Sequence, residues 1–156
     1  RNNIKLNKVE SSIKVIENAI SDMKSQNYHM TPGAQKSEAI IQNNHSQKKT
    51  ITLSSLISDE KLNKIDFIKI DIEGSNHKVA KCIIDNVSKI DGLQYEFNKG
   101  PASTFLNLID QVNIFYDFYI FEEEKFKSIN EIDLKEKIKT FGSNNKSGID
   151  VFFKKK

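Results

Sequence analysis

The sequence predicts an α/β domain in which apolar strands alternate with amphipathic helices. Three stretches carry that reading. Ile65-Asp66-Phe67-Ile68-Lys69-Ile70 is β-branched and aromatic, with Lys69 as its one long polar interruption. That is the composition of a strand covered on both faces, as in a parallel sheet. Val79, Ile83 and Val87 then recur every fourth residue, with Ala80 and Ile84 beside them, which marks one apolar face of a helix reaching about Ile90. Leu93-Gln94-Tyr95-Glu96-Phe97 alternates as the next strand, and Phe105, Leu108, Ile109 and Val112 line the helix after it. Two successive strand–helix–strand units imply parallel pairing.

The 156 residues suffice for one domain with a real core. A net charge of +3, with Lys and Glu interspersed, gives no argument for nucleic acid. Cys82 is the single cysteine, so no intrachain disulfide forms, and its apolar helical position suits a small core residue better than a nucleophile. No stretch has the length or purity of a membrane span, and no leader is visible, so the expected compartment is the cytoplasm. Arg1 stands where Met would open a complete chain, which suggests a piece of a longer sequence. Lys154-Lys155-Lys156 reads as a solvated basic tail.

Taken in order, Arg1–Glu10 carries weak helical spacing. Ile13, Val15 and Ile16 mark a short strand. Asn18, Ser21 and Asp22 follow, equally able to bond a ligand or to close a turn on their own backbone. Residues 23–49 read as a long loop or irregular hairpin around Thr31-Pro32-Gly33. His29 and His45 have no metal-ligand spacing. Residues 1–49 thus form a weakly anchored segment, and residues 50–156 the core. Thr50-Ile51-Thr52-Leu53 alternates as a strand, and Ser54 or Ser55 caps a helical turn from Leu56 to Glu60. Beyond the second helix, Ile114–Phe121 is an aromatic strand ended by the charge run Glu122-Glu123-Glu124. Asn130 and Asp133 form a capping arrangement before the helix of Leu134, Ile138 and Phe141. Ile149, Val151 and Phe153 alternate in a last strand, suited to antiparallel pairing with the aromatic one.

The site predicted from the residues lies at the end of the first core strand. Asp71 and Glu73 are two residues apart and fall on the same side of an extended chain. Gly74 then turns the backbone toward the helix, with Ser75 as its cap. Ligands of open α/β sheets bind outside the carboxyl ends of strands. Against this stands the plain reading that both carboxylates favour the positive end of the helix. His77 lies in the first helical turn, where an exposed position is the commoner case. A divalent cation held by Asp71 and Glu73 alone has too few ligands.

Lys69-Ile70-Asp71-Ile72-Glu73-Gly74, followed after a helix by Gln94-Tyr95-Glu96-Phe97-Asn98, resembles the FkbM family of methyltransferases. Asn18-Ala19-Ile20-Ser21-Asp22 and Thr52-Leu53 resemble two further segments of that family, and the likeness runs from about Ile13 onward. The resemblance implies a Rossmann-like methyltransferase sheet, mostly parallel with an antiparallel final strand. It implies S-adenosylmethionine as cofactor and a hydroxyl of a sugar or small metabolite as acceptor, that is, a small-molecule or glycan partner. Asn18, Ala19, Ser21 and Asp22 would lie near the adenine end of the cofactor. Asp71 and Glu73 would face its methionine end and the acceptor, and Glu96 the acceptor side. The sequence departs from the family at Asn76, where Glu is usual, and at Ala80, Cys82 and Ser54. No Gly precedes Gly33, so the strand and Gly-rich loop expected to wrap the cofactor are missing. The chain thus resembles the C-terminal two-thirds of the domain. It is expected to need another chain for the missing strands, or to be a non-catalytic remnant or interaction module.

Overall fold

A computed structural model describes residues 2–24, 28–30, 39–41, 49–72, 76–97, 101–143 and 148–156. Its elements are α1 (Asn2–Leu6), β1 (Tyr28–Met30), β2 (Ala39–Ile41), α2 (Leu53–Asp59), β3 (Ile68–Ile70), α3 (Asn76–Asn86), β4 (Gly92–Phe97), α4 (Ala102–Val112), β5 (Tyr116–Glu122), β6 (Lys125–Ile129), α5 (Glu131–Ser143) and β7 (Ile149–Lys155). A 3₁₀ turn, Val87–Lys89, continues α3 toward Ile90.

Five strands form the main sheet in the order β3-β4-β7-β5-β6. Only β3–β4 is a parallel ladder, and the other three are antiparallel. The expected mostly parallel sheet is therefore corrected to a mostly antiparallel one. The cause is β7, which inserts between β4 and β5 and pairs with both along nearly their whole length. Because β7 opposes both neighbours, β3, β4 and β5 still point the same way, as the strand–helix–strand units require.

Alternation decides which face is core. Leu93, Tyr95 and Phe97 are buried at every second position of β4, and Val151 and Phe153 continue that row across β7. Helices α3, α4 and α5 cover this face, with α4 packed between the other two. Val79 and Ile83 of α3, Phe105, Leu108 and Val112 of α4, and Leu134 and Ile138 of α5 close the core, as their spacing predicts. The ring of Phe105 meets Phe97 edge-on, with centroids 4.9 Å apart. Tyr116 stays in the core because its hydroxyl donates to the Ile90 carbonyl at 2.7 Å.

The opposite face is open. Lys69 is exposed between half-buried Ile68 and buried Ile70, so β3 is covered on one face rather than two. Phe67, Phe121 and Phe126 are exposed on the same side.

Four local expectations change. Ile13, Val15 and Ile16 are exposed and form no strand, with no ladder partner among the described residues. A parallel bridge from Ile20 to Ile51 lies where the sequence predicts strand. The cap of α2 is Thr52: its hydroxyl accepts from the Ser55 N–H at 3.0 Å, while Ser55 accepts from the Thr52 N–H at 3.1 Å. The run Glu122-Glu123-Glu124 is a hairpin turn leading into β6, with Glu123 and Glu124 both at positive φ (52° and 61°). Within residues 23–49, β1 and β2 pair as a short antiparallel hairpin, while Thr31, Pro32, Gly33 and His45 fall outside the described residues. The last lysines are tied down: Lys155 donates to the Ser88 carbonyl at 2.9 Å, and Lys156 to that of Asn113 at 2.8 Å. No helix among the described residues is long and apolar enough to cross a membrane.

Candidate active site at the carboxyl edge of the sheet

The parallel pair β3–β4 brings two predicted carboxylates to one edge. Asp71 follows Ile70 directly, and Glu96 lies one residue beyond Tyr95, the partner of Ile70. Glu96 is also the cross-strand partner of Asp150 at the start of β7. Like charges placed opposite each other repel, and Lys69 offsets them. Its ammonium pairs with Asp71 at 3.0 Å. That hydrogen bond and the Asp71 charge hold the Lys69 ammonium above its ordinary pKa, with Asp150 and then Glu96 adding to the same field. The polar interruption of an otherwise apolar strand is thus the counter-charge of a row of carboxylates.

Asn76 fixes the geometry beneath this row. It opens α3, its side chain is fully buried, and it uses both ends of its amide. Oδ1 accepts from the Ile72 N–H at 2.6 Å, and Nδ2 donates to the Glu96 carbonyl at 2.6 Å. The phenol of Tyr95 donates to the Asn76 carbonyl, and burial pushes that phenol's pKa well up. One side chain thereby ties the segment after β3, the first turn of α3 and the end of β4. Gly148 keeps the edge open from the far side, because a Cβ there would stand 2.7 Å from Glu96 Cγ.

The N-terminal candidates gather elsewhere. Ser21 is buried, its N–H donating to the Ile51 carbonyl at 2.9 Å and its hydroxyl to Asp22 at 3.0 Å. Its carbonyl accepts from the Cys82 thiol at 3.4 Å. Burial raises that thiol's pKa, as befits a small core residue. Cys82 lies six residues along α3 from Asn76, or about 9 Å of helix axis. Asn18 is exposed and donates to the Lys49 carbonyl at 2.8 Å, and half-buried Ala19 accepts from the Ile51 N–H at 2.9 Å. The Met23 N–H donates to the Ser21 hydroxyl at 3.5 Å, a bond of the turn-closing kind.

The structure therefore joins Ile72, the residue after Asp71, to the Glu96 carbonyl through Asn76 and sets Ala19 and Ser21 against α2's entry and the middle of α3, with Asn18 and Asp22 beside them. Glu73, with Gly74 and Ser75, lies outside the described residues. His77 is half buried, and among the described residues its Nδ1 has no hydrogen-bond partner. Among those residues, no group of three or more His, Cys, Asp or Glu side chains is placed to hold a metal ion. Lys69, Asn76, Gly148 and Asp150 are the members that sequence reasoning left out. Lys69 had a signal, as a lone cation within an apolar strand; Asn76 depends on β4 ending beside α3, and Gly148 and Asp150 on a β7 placement that no local pattern encodes.

Comparison with known proteins agrees with this architecture. The family model described as the methyltransferase FkbM domain matches residues 1–135. The match takes in the stretch before Ile13 and stops within α5, so β7 lies beyond it. No curated protein and no solved structure gives a match. With most of its length matched, the chain belongs to the FkbM methyltransferase domain family.

Proposed function

We propose that this domain transfers a methyl group from S-adenosylmethionine to a hydroxyl oxygen of a sugar or small metabolite. The observation that carries the reading is the carboxylate edge: Asp71 and Glu96 set around Lys69 and tied through Asn76. S-adenosylmethionine supplies, when bound, a methyl group carried on a positively charged sulfur. The residues suit such a group. Asp71 offers anionic oxygens to a cationic ligand, and exposed Asn18 and Asp22 offer polar groups of the kind that bind nucleoside hydroxyls. Buried Ser21 acts only through Asp22 and its own backbone.

The chain's own part is to orient an acceptor and to remove its proton. A hydroxyl oxygen becomes an adequate nucleophile as its proton leaves, and a carboxylate within hydrogen-bond reach takes it. Asp71, Glu73 and Glu96 are the groups for that role, Glu96 on the acceptor side. Asn76 holds the spacing of the two strand ends, which matters because small misplacements of a catalytic group are costly in rate.

Two further statements belong to the same reading. The chain corresponds to the later part of the full domain, and β3 stands at the end of the sheet order, where strands from another chain would add. A rival reading, a non-catalytic interaction module, draws on Asn76 standing buried where the family usually has Glu. Calorimetric titration with S-adenosylmethionine separates them. Saturable heat that weakens in Asp71→Asn is the expected result. No heat at high protein concentration overturns the enzyme reading for this chain and leaves the interaction module.

A further inference from the structure

Beside the carboxylate row lies a cleft that the methyl-transfer reading leaves unused. It measures about 420 Å³ and runs along the end of β5, the start of β7 and the adjoining part of β4. Gln94, Phe121, Glu122, Lys137, Asp150 and Phe152 border it. Small-ligand sites occupy roughly 300–1,000 Å³, so the volume suffices.

Strand alternation sorts these groups onto two sides. Phe118 and Ile120 of β5 are buried on the helix side, and Glu122 continues their row. Lys137 of α5 meets Glu122 there at 2.6 Å, so this ion pair closes on itself at the helix-side rim. Gln94, Phe121, Asp150 and Phe152 take the opposite alternation, on the open face. Among the described residues, the Asp150 carboxylate meets only a neutral donor, the Gln94 amide at 3.0 Å. The Lys69 ammonium is engaged by Asp71 at 3.0 Å. Lys154, on the same face of β7, stands four residues along the strand from Asp150, or about 13 Å. Glu96 is the cross-strand partner of Asp150 and adds a second negative charge to this end of the face.

Aromatic rings stand beside that charge. The Phe126 ring is edge-on between two others, with centroids 5.1 Å from Phe121 and 4.8 Å from Phe152. Phe121 is 53% exposed and Phe126 61%, so ring surface is open to a ligand. Large apolar side chains rimmed by polar groups mark a binding groove. Ring faces attract cations, and so does a carboxylate held only by a neutral amide. The complementary ligand is a cation with an apolar body. A primary ammonium suits the site better than a quaternary one, because the remaining lone pairs of Asp150 accept N–H bonds.

We infer that this cleft binds a protonated primary amine carried on an apolar body, its ammonium on Asp150 and its body against Phe121 and Phe152. The binding does not rest on the methyl-transfer reading. Within that reading, Asp150 anchors an amine-bearing acceptor beside Glu96.

The probe is cyclohexylammonium, compared with neutral cyclohexanol at neutral pH and followed in ¹H–¹⁵N NMR spectra at the Gln94 side-chain amide. Expected are saturable shifts with the ammonium, at an affinity at least about tenfold above that of the alcohol. Asp150→Asn and Phe121→Ala should each weaken the ammonium at least about threefold. Both substitutions are on the open face, and the unchanged remainder of the spectrum reports that each variant is folded. No saturable shift overturns the inference, as does equal binding of the alcohol or binding that either variant leaves undiminished. Sedimentation guards against a second copy: a dimer that Phe126→Ala makes monomeric assigns the face to that copy and overturns the amine site. S-adenosylmethionine carries an amine of its own, so its displacement of cyclohexylammonium from the Gln94 amide assigns the cleft to the cofactor and overturns the inference too. Calorimetry with the cofactor is read separately. Amine shifts without cofactor heat sink methyl transfer and leave the cleft; cofactor heat without amine shifts does the reverse.

Discussion

Asn76 shows how much one side chain can decide. An amide both accepts and donates, whereas a carboxylate only accepts. N76D therefore keeps the bond from the Ile72 N–H and loses the one to the Glu96 carbonyl. It also leaves a charge facing that carbonyl in a fully buried site. The cost at neutral pH is about 1–3 kcal/mol, the range for an unsatisfied buried partner. The cost depends on pH with a definite sign. The protonated acid regains an O–H donor, so the folded state binds this proton more tightly than the unfolded chain, whose Asp titrates near about 3.9. The stability deficit of N76D should shrink as pH falls toward the acid range and widen as it rises. Thermal unfolding of both proteins across pH checks this, and a deficit independent of pH would show that the amide's donor is not what matters. The sequence marked position 76 as a departure from the family, but not what the departure does. That depends on β4 ending beside α3, which is tertiary information. Lys69 was legible as an oddity for the converse reason, since its strand environment is local.

At the scale of elements, β6 is the instructive omission. A two-residue hairpin needs φ > 0 at both positions, and Asn-Gly is its usual signal. Here Glu123 and Glu124 occupy those positions, so the residues spell a solvated charge run while the backbone makes a turn. β-strand pairing from Phe118–Ile129 to Glu122–Lys125 enforces it. Replacing the pair by Asn-Gly relieves that conformation and should stabilise the protein by about 1 kcal/mol. In urea the midpoint should rise with an unchanged slope; an unchanged midpoint would mean the turn carries no strain. The cap of α2 makes the opposite point. Thr52→Ala removes the hydroxyl that satisfies the Ser55 N–H and should cost about 0.5–2 kcal/mol, read from the same urea midpoint. Serine-rich helix starts invite the cap to be placed two or three residues late, because Ser54 and Ser55 are as good cap residues as Thr52. Helices α3 and α4 were legible because burial follows their periodicity, whereas the order of strands around β7 was not, because alternation says which face a residue takes and not which neighbour it meets.

For the whole molecule, charge ties the C-terminal strand to the middle of the chain. Asp91, in the turn before β4, meets Lys64 before β3 and Lys155 at the end of β7. The Lys64 hydrogen bond, then the Lys155 one, hold the Asp91 carboxyl below its ordinary pKa. Lys137 does the same to Glu122 at the end of β5, and Lys135 with Asn113 to Glu131 at the start of α5. Asp91 and Glu122 are held by lysines on other elements and so report on the assembled domain, whereas Glu131 is held first by Lys135, four residues on in the same helix. Each is depressed in the folded state, so each contributes stability above its unfolded pKa and loses it as pH falls through the lowered folded value. Unfolding temperature should therefore be flat through neutral pH and decline below the ordinary carboxylate range of about 4. Lys64→Met tests the part that joins the approach to β3 to the turn before β4. It removes the largest cause of the Asp91 depression, so the acid decline should become shallower while stability above it falls. The pairs are exposed, and such pairs weaken in salt, so added salt should reduce the difference between Lys64→Met and the parent. A Lys64→Met protein with an unaltered acid profile would show that Asp91 is held by the backbone of the turn instead, and that the C-terminal strand is kept in place by its ladders with β4 and β5 alone.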